Sequence, residues 1–168
     1  MKVVIGVGNV FMKDDGYGSF IAQALDGLIP IDVKDLGMGS LSIIDDIRDY
    51  DEIIIIDAAD IDSDVEVFEI KTELEDEIPQ AVISMSLGGS HSMSMRDILT
   101  ILNSDGKNRK IIVIGCKPKE INVGYGLSEE MIKNGLKVIE KLKEFIDFDV
   151  DEAKKRFLSI IREITSQY

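Results

Sequence analysis

The stretch VVIGVGNVFMKDDGYGSF, residues 3–20, runs from an apolar segment through a glycine-rich turn into the start of a helix. β-Branched residues dominate positions 3–7, which predicts a buried strand. Apolar residues then recur at helical spacing from Phe20 onward, which predicts a helix packed on that strand. The order strand, glycine turn, helix is typical of α/β folds with a parallel sheet. Two adjacent carboxylates, Asp14 and Asp15, stand where that helix is expected to begin.

The rest of the chain continues the alternation of short apolar runs and helix-like segments. Further strands are predicted at residues 31–36, 53–56, 65–72 and 110–114, the third of them near a sheet edge. Further helices are predicted at residues 41–50, 93–102, after Ser128 as N-cap, and at 151–165. We therefore predict one α/β domain over residues 1–168, with a three-layer architecture. Helices cover both faces of a mainly parallel, twisted sheet of about five strands.

The charge of the chain restricts its partners. There are 32 acidic and 19 basic residues, which give a net charge of −13. Nucleic acid and anionic membrane surfaces reward clustered Lys and Arg, so we expect neither as a partner. A cation or a basic protein segment would suit such a surface, and solubility alone would also explain it.

The cysteine content and the N-terminus indicate a cytoplasmic location. Cys116 is the single cysteine, so no disulfide framework can form within the chain, and a reducing compartment is expected. The N-terminus enters a strand without the layout of a secretion signal. No apolar run approaches membrane-spanning length. We expect a monomer, because no long apolar patch is visible in the sequence.

Candidate metal ligands occur at three places in the sequence, two of them after predicted strands. The pair Asp14 and Asp15 follows the first strand, Asp57 ends the run of four isoleucines, and His91, the single histidine, precedes a predicted helix. Ligands of open α/β sheets gather at the carboxyl ends of the strands. Two carboxylates and an imidazole suit a divalent transition metal such as nickel, zinc or manganese.

Each of these residues also has a structural interpretation. The aspartate pair is equally typical of a helix cap, and a lone histidine on a loop is usually structural. Asp57 needs solvent or a partner in a cleft, because it directly follows buried isoleucines. A nucleophile pair of Cys116 and His91 is conceivable, but an inert buried cysteine is the more common outcome.

Two phosphate-related interpretations fit less well. The third glycine of a dinucleotide fingerprint is absent after Gly6 and Gly8, and the chain lacks a P-loop. A two-component receiver domain would use an acidic pair, a phosphoacceptor such as Asp57 and a lysine such as Lys117. In receivers, however, the acidic pair lies directly at the end of the first strand, whereas here residues 6–13 intervene.

Four motifs, in order, resemble those of the hydrogenase maturation endopeptidases. GVGNVFMKDDGYG resembles the N-terminal signature of that family, and IIIIDAAD resembles its apolar strand that ends in aspartate. HSMSMRDIL is similar to its histidine motif, and VIGCKPKEINVGYGLSEEM to its late strand and helix start. The resemblance covers residues 1–145, and residues 149–168 form a predicted helix outside this matched core.

The resemblance implies a function and a site. Members of the family cleave a C-terminal extension from the large-subunit precursor of a nickel–iron hydrogenase after nickel insertion, and the nickel comes with the substrate. The resemblance places the catalytic and nickel-contacting set on Asp15, Asp57 and His91. It associates substrate recognition with Asp35, Gly37, Gly8 and Asn9, and no organic cofactor is expected. The attacking group stays open between water, metal and an aspartate. A module that senses nickel without cleaving the partner is the non-enzymatic alternative.

Overall fold

The computed structural model describes residues 1–37, 42–71, 79–83 and 95–167. Within these ranges the chain forms five strands: β1 Lys2–Val7, β2 Asp32–Gly37, β3 Glu52–Ala58, β4 Val65–Lys71 and β5 Lys110–Cys116. The helices are α1 Tyr17–Leu25, α2 Ser42–Ile47, α3 Gln80–Ile83, α4 Met95–Asn103, α5 Glu129–Leu142 and α6 Val150–Gln167. A 3₁₀ turn, Lys13–Gly16, directly precedes α1.

The strands form one sheet in the order β2-β1-β3-β5-β4. All neighbours are parallel except β4, which runs antiparallel to β5 and occupies one edge. This confirms the predicted α/β class and the mainly parallel sheet, and it confirms that residues 65–72 contribute an edge strand. The apolar runs at 53–56 and 110–114 became β3 and β5, the strands with both faces covered.

Alternate residues of the central strands divide between two cores. Ile53 and Ile55 of β3 belong to the core that includes α2 and α4, with Ile47, Ile98 and Leu102 among its members. Ile54 and Ile56 belong to the core on the other face, which packs against α1, α5 and α6. Such division follows from the alternation of side chains along a strand. Helices therefore cover both faces, as predicted.

The strand order creates a switch point between β1 and β3. From β1 the chain crosses to β2 on one side, whereas β3 lies on its other side. In open α/β sheets a crevice forms at such a point, outside the carboxyl ends of the two strands. The 3₁₀ turn after β1 and the last residues of β3 both lie at this crevice, and they carry Asp15 and Asp57.

The last helix belongs to the α1 and α5 side of the sheet. Ala153 and Phe157 of α6 are fully buried in that core. The ring of Phe157 lies so close to α5 that a Cβ on Gly135 would be 2.6 Å from its Cζ atom. None of the helices in the described ranges is both long and apolar enough to cross a membrane.

Helix α1 approaches the sheet closely because Gly18 has no side chain. A Cβ at this position would lie 2.3 Å from the carbonyl oxygen of Ile56 and 2.4 Å from that of Val7. These are backbone atoms of β3 and β1, so neither can rotate away. Gly18 thus sets the distance between α1 and the switch point.

We expect Gly18→Ala to lower the free energy of unfolding by about 1–3 kcal/mol, since overpacking outweighs the better helix propensity of alanine. Gly135→Ala is the matched control, because it also replaces a helical glycine but meets a side chain, Phe157, instead of backbone. The Gly135→Ala variant should therefore lose less free energy of unfolding than Gly18→Ala does. Urea unfolding followed by circular dichroism measures both, and a Gly18→Ala variant as stable as the wild type would contradict the packing argument.

Candidate functional site

Asp57 is a buried carboxylate with one unsatisfied oxygen. Its side chain is 2 % exposed at the end of β3. Oδ1 accepts a hydrogen bond of 2.8 Å from the backbone N–H of Ala58, whereas Oδ2 has no partner within the described part of the chain. A buried carboxylate oxygen without a donor is costly and points to a missing cation or donor.

Asp15 lies close enough to Asp57 for the two charges to interact. Burial raises the pKa of Asp57 well above its usual range, and the neighbouring carboxylate of Asp15 raises it further. Burial also raises the pKa of Asp15, although the N–H of Asn9 donates to Asp15 Oδ2 at 3.1 Å and partly offsets this effect. Two neighbouring carboxylates that resist ionisation are the electrostatic signature of a site that a cation would stabilise.

The third predicted ligand, His91, lies outside the described residues. Within the described ranges, no three side chains of ligand type are grouped closely enough to hold a metal ion. Helix α4 begins at Met95, four positions after His91, and packs on the Ile53 and Ile55 face of the sheet. By strand alternation, Asp57 belongs to that same face. The set Asp15, Asp57 and His91 therefore stays a prediction, of which the structure brings the two carboxylates together.

Asp14 has a different role from the helix cap that its position suggests. It is fully buried, and neither the 3₁₀ turn nor α1 has a side-chain cap. Its Oδ2 accepts hydrogen bonds of 2.8 Å from the N–H groups of Lys119 and Glu120 and from Ser128 Oγ. Its Oδ1 accepts a fourth from the Ser128 N–H, also at 2.8 Å. Asp14 thus joins the turn of Asp15 to the loop before α5.

Ser128 completes this connection as the predicted N-cap of α5. Its Oγ accepts a hydrogen bond of 3.2 Å from the N–H of Met131 while donating to Asp14. The predicted cap is confirmed. The sequence did not indicate the second partner, because Asp14 lies more than a hundred positions away along the chain.

The glycines of the first loop serve the packing of the chain on itself. A Cβ on Gly8 would lie 2.0 Å from the carbonyl oxygen of Asp15, and one on Gly16 would lie 2.7 Å from Val10 Cα. Gly8 is therefore needed to bring the strand end against the turn that carries Asp15. Its expected role in substrate recognition stays a prediction, as does that of Asn9, whose N–H holds the Asp15 carboxylate.

Tyr17 contributes to the site although the sequence analysis did not single it out. Its hydroxyl is buried and lies 2.9 Å from the carbonyl oxygens of both Asp57 and Ile114. It therefore ties the ends of β3 and β5 to the start of α1. Burial raises the pKa of Tyr17 well above its usual value, which keeps the hydroxyl protonated as a donor. The only signal in the sequence was its place directly after the Asp-Asp-Gly motif.

Asp35 lies at the same end of the sheet but on the opposite face from Asp57. It pairs in register with Gly6, which in turn pairs with Ile56 of the α1 face. Its exposed carboxylate accepts hydrogen bonds from Ser19 Oγ at 2.6 Å, Gln23 Nε2 at 3.2 Å and the Gly37 N–H at 3.1 Å. The structure thus separates Asp35 from the Asp15 and Asp57 pair, and substrate contact by Asp35 or Gly37 stays a prediction.

Cys116 has the inert environment that the sequence analysis favoured. Its side chain is fully buried at the end of β5, with Sγ 3.6 Å from the sulfur of Met131. Burial, with the negative charges of Asp14 and Asp64, raises the pKa of the Cys116 thiol to about 12. A thiol of that pKa supplies almost no thiolate at neutral pH, so it does not act as a nucleophile.

The Asp14 connection predicts a large stability difference between two variants. Asp14→Ala leaves three backbone donors and one hydroxyl without their acceptor, so we expect the free energy of unfolding to fall by about 3 kcal/mol or more. Ser128→Ala removes one donor and the N-cap, with an expected loss of about 1 kcal/mol. Urea unfolding measures both, and equal losses would show that the carboxylate is not the centre of the network.

The raised pKa of Asp57 predicts that the Asp57→Asn variant is more stable than the wild type by an amount that depends on pH. Because the pKa of Asp57 is raised in the folded state, the folded protein binds this proton more tightly than the unfolded chain does. Its stability therefore falls as pH rises above the unfolded pKa of about 4, by ~1.4 kcal/mol per pH unit until the folded pKa is reached. The amide of the variant does not titrate, so the variant should become increasingly more stable than the metal-free wild type as pH rises above about 4. A difference in unfolding free energy that is constant with pH would contradict the raised pKa.

Comparison with known proteins identifies the family. The sequence model described as "HycI: Hydrogenase maturation protease" matches residues 23–144. A protein of Methanocaldococcus jannaschii, named as a candidate hydrogenase maturation protease, is 31% identical over 148 residues, which cover 82% of this chain and 91% of the relative. The hydrogenase 2 maturation protease of Escherichia coli is 28% identical over 151 residues, 84% of this chain and 90% of its own.

Solved structures share the fold. The hydrogenase 2 maturation peptidase from Thaumarchaeota archaeon SCGC_AB-539-E09 superposes with a TM-score of 0.64 at 23% identity, over 86% of this chain and 96% of its own. The receiver-like interpretation is therefore set aside, in keeping with Asp14, whose four hydrogen bonds leave it occupied rather than available to magnesium. On the match over residues 23–144 and the similarity to named maturation proteases, this chain belongs to the hydrogenase maturation protease family and is an endopeptidase.

Proposed function

We propose that this endopeptidase removes the C-terminal extension of a nickel–iron hydrogenase large-subunit precursor after nickel has been inserted. Nickel held by the substrate would complete the site formed by Asp15, Asp57 and His91. The observation that carries the proposal is the buried Oδ2 of Asp57, which has no hydrogen-bond partner among the described residues and lies beside a second carboxylate. We further propose that the protein acts as a cytoplasmic monomer without an organic cofactor.

The raised pKa values provide a physical basis for nickel dependence. Ionising both Asp15 and Asp57 without a cation places two neighbouring negative charges where burial reduces their solvation. A divalent cation brought by the substrate favours the ionised forms and displaces their protons. A precursor that lacks nickel does not supply this compensation, so it would bind without completing the site. Carboxylate and imidazole ligands also suit nickel better than magnesium.

The chain's own residues would orient this site. The N–H of Asn9 holds one oxygen of Asp15 and that of Ala58 holds one oxygen of Asp57, and the other Asp57 oxygen has no donor among the described residues. Tyr17 fixes the backbone of Asp57 itself at 2.9 Å. The metal could polarise the scissile carbonyl or orient a water, and a carboxylate could act directly. The proposal does not depend on which of these occurs.

Incubation of the protein with nickel-loaded and nickel-free large-subunit precursor tests the proposal. The mass of the precursor should fall by that of its C-terminal peptide only when nickel is present. Uncleaved precursor in a stable complex with the wild type would instead favour a nickel-sensing module.

Site variants then test the ligand set. We expect Asp15→Asn, Asp57→Asn and His91→Ala each to slow processing by about 100-fold or more, because each removes a group that would contact the metal. Asp60→Asn is the matched control, since Asp60 follows β3 but is exposed. Circular dichroism should show that all four variants fold. Normal processing by the Asp57→Asn variant would remove Asp57 from the site without touching the assignment to the family.

A further inference from the structure

Exposed apolar side chains gather on two loops beside the candidate site. Phe11 is 52% exposed, Ile121 is 55% exposed and Val123 is 84% exposed. In the described part of the chain only two other large apolar residues, Met1 and Ile101, are comparably exposed. Single exposed apolar residues are normal on protein surfaces, but a contiguous group is typical of an interaction site. We call residues 9–13 together with residues 120–126 the loop platform.

Backbone hydrogen bonds hold the two halves of the loop platform together. The N–H of Gly124 donates to the carbonyl of Phe11 at 2.8 Å, and the N–H of Lys13 donates back to the carbonyl of Gly124 at 3.0 Å. The rings of Phe11 and Tyr125 meet edge to face, with centroids 5.2 Å apart. The surface is therefore formed before any partner arrives, which lowers the entropic cost of binding.

The loop platform is continuous with the turn that carries Asp15. The N–H of Phe11 donates to Asn9 Oδ1 at 3.0 Å, and the N–H of Asn9 donates to Asp15 Oδ2 at 3.1 Å. On the other side, the Asp14 N–H donates to the carbonyl of Glu120 at 2.9 Å. A peptide bound on Phe11 and Val123 would therefore contact loops that are hydrogen-bonded to the turn of Asp15.

The charges of the loop platform indicate what kind of segment it would bind. The aliphatic chain of Lys13 lies over Gly124, where an added Cβ would be 2.6 Å from Lys13 Cε. Lys13 forms no ion pair with any described residue, whereas Lys119 pairs with Glu130 at 3.5 Å. Lys13 therefore presents an ammonium group with no carboxylate partner among the described residues, and the complement of such a group on a bound segment is a carboxylate. Glu120 is the one acidic side chain of the loop platform, but the chain as a whole carries a net charge of −13, so a densely acidic partner would be repelled.

The backbone at the tip of the second loop is also free to pair. The N–H groups of residues 121–123 donate no hydrogen bond within the described part of the chain. Exposed main-chain groups of this kind can bind the main chain of a peptide, while neighbouring apolar side chains select its residues.

We propose that the loop platform docks the apolar part of the segment that the enzyme cleaves from its precursor, with Lys13 against a carboxylate of that segment. The inference rests on the proposed function and names the chemistry of its substrate: a peptide with apolar side chains and a sparse negative charge. Phe11, Ile121 and Val123 form the apolar contact, and Asp14 holds this surface in fixed relation to Asp15.

Processing kinetics on the nickel-loaded precursor test the inference. The double variant Ile121→Lys and Val123→Lys should raise KM by about tenfold or more, with kcat within about twofold of the wild type, because docking is lost while the site stays intact. Lys13→Glu should also raise KM, and by less at high salt, because salt screens the repulsion. The matched control is Ile101→Lys on α4, which is 36% exposed and lies on neither loop. Its KM should not change.

Other outcomes separate this inference from the function on which it rests. Thermal unfolding midpoints close to that of the wild type show that the variants fold. If the midpoint of the double variant drops, the single variant Val123→Lys is used in its place. A KM for the loop variants equal to that of Ile101→Lys overturns the docking surface while the protease function stands. A wild type that sediments as a dimer and becomes monomeric in the double variant also overturns it, since a second copy would then occupy the surface. Absence of any processing by the wild type defeats the function, and the docking inference with it.

Discussion

The site depends on one buried carboxylate that does not belong to it. Asp14 gathers four hydrogen bonds of 2.8 Å from a loop that lies more than a hundred positions away in the chain. Each such bond to a charged acceptor is stronger than a neutral one. The turn after β1, the loop before α5 and the N-terminus of α5 are thereby held as one unit. This unit fixes the position of Asp15, the next residue in the chain.

Two buried aspartates, Asp14 and Asp57, have opposite electrostatic roles. Asp14 and Asp57 are both almost fully buried, at 0% and 2% exposure, yet among the described residues Asp14 has four donors and Asp57 has one. Donors stabilise an ionised carboxylate, and burial without donors destabilises it. The contrast explains why Asp14 serves structure, and why Asp57 with Asp15 is the pair that a cation would stabilise.

The fold could be read from the sequence because its signals are local. Four isoleucines in a row and the stripe of α1 each lie within one element, so apolar spacing alone predicted β3 and the helix beside β1. The carboxyl-end rule then placed Asp15 and Asp57 at the same crevice, and the structure brings them together.

What the sequence could not provide depends on distant partners and on register. The partners of Asp14 are more than a hundred positions away, so no local pattern distinguishes a helix cap from a connection between loops. The strand DVKDLG has no clear alternation, and a shift of one residue changes the face of Asp35. At Gly8, where the resemblance places substrate recognition, no local pattern showed that an added side chain would meet the carbonyl of Asp15, which lies seven positions away.

Under the proposed function, the same electrostatics would make the protease selective for finished substrate. An enzyme with a resident metal would have its carboxylates ionised and its site complete at all times. Here burial raises the pKa of Asp15 and of Asp57, and the charge of Asp15 raises that of Asp57 further, so protonation is favoured in the absence of a cation. Docking on Phe11 and Val123 would give affinity for any precursor, loaded or not, because these contacts are apolar. Discrimination would then come only from the carboxylate pair, so binding and selection would be carried by separate but rigidly connected parts of the molecule.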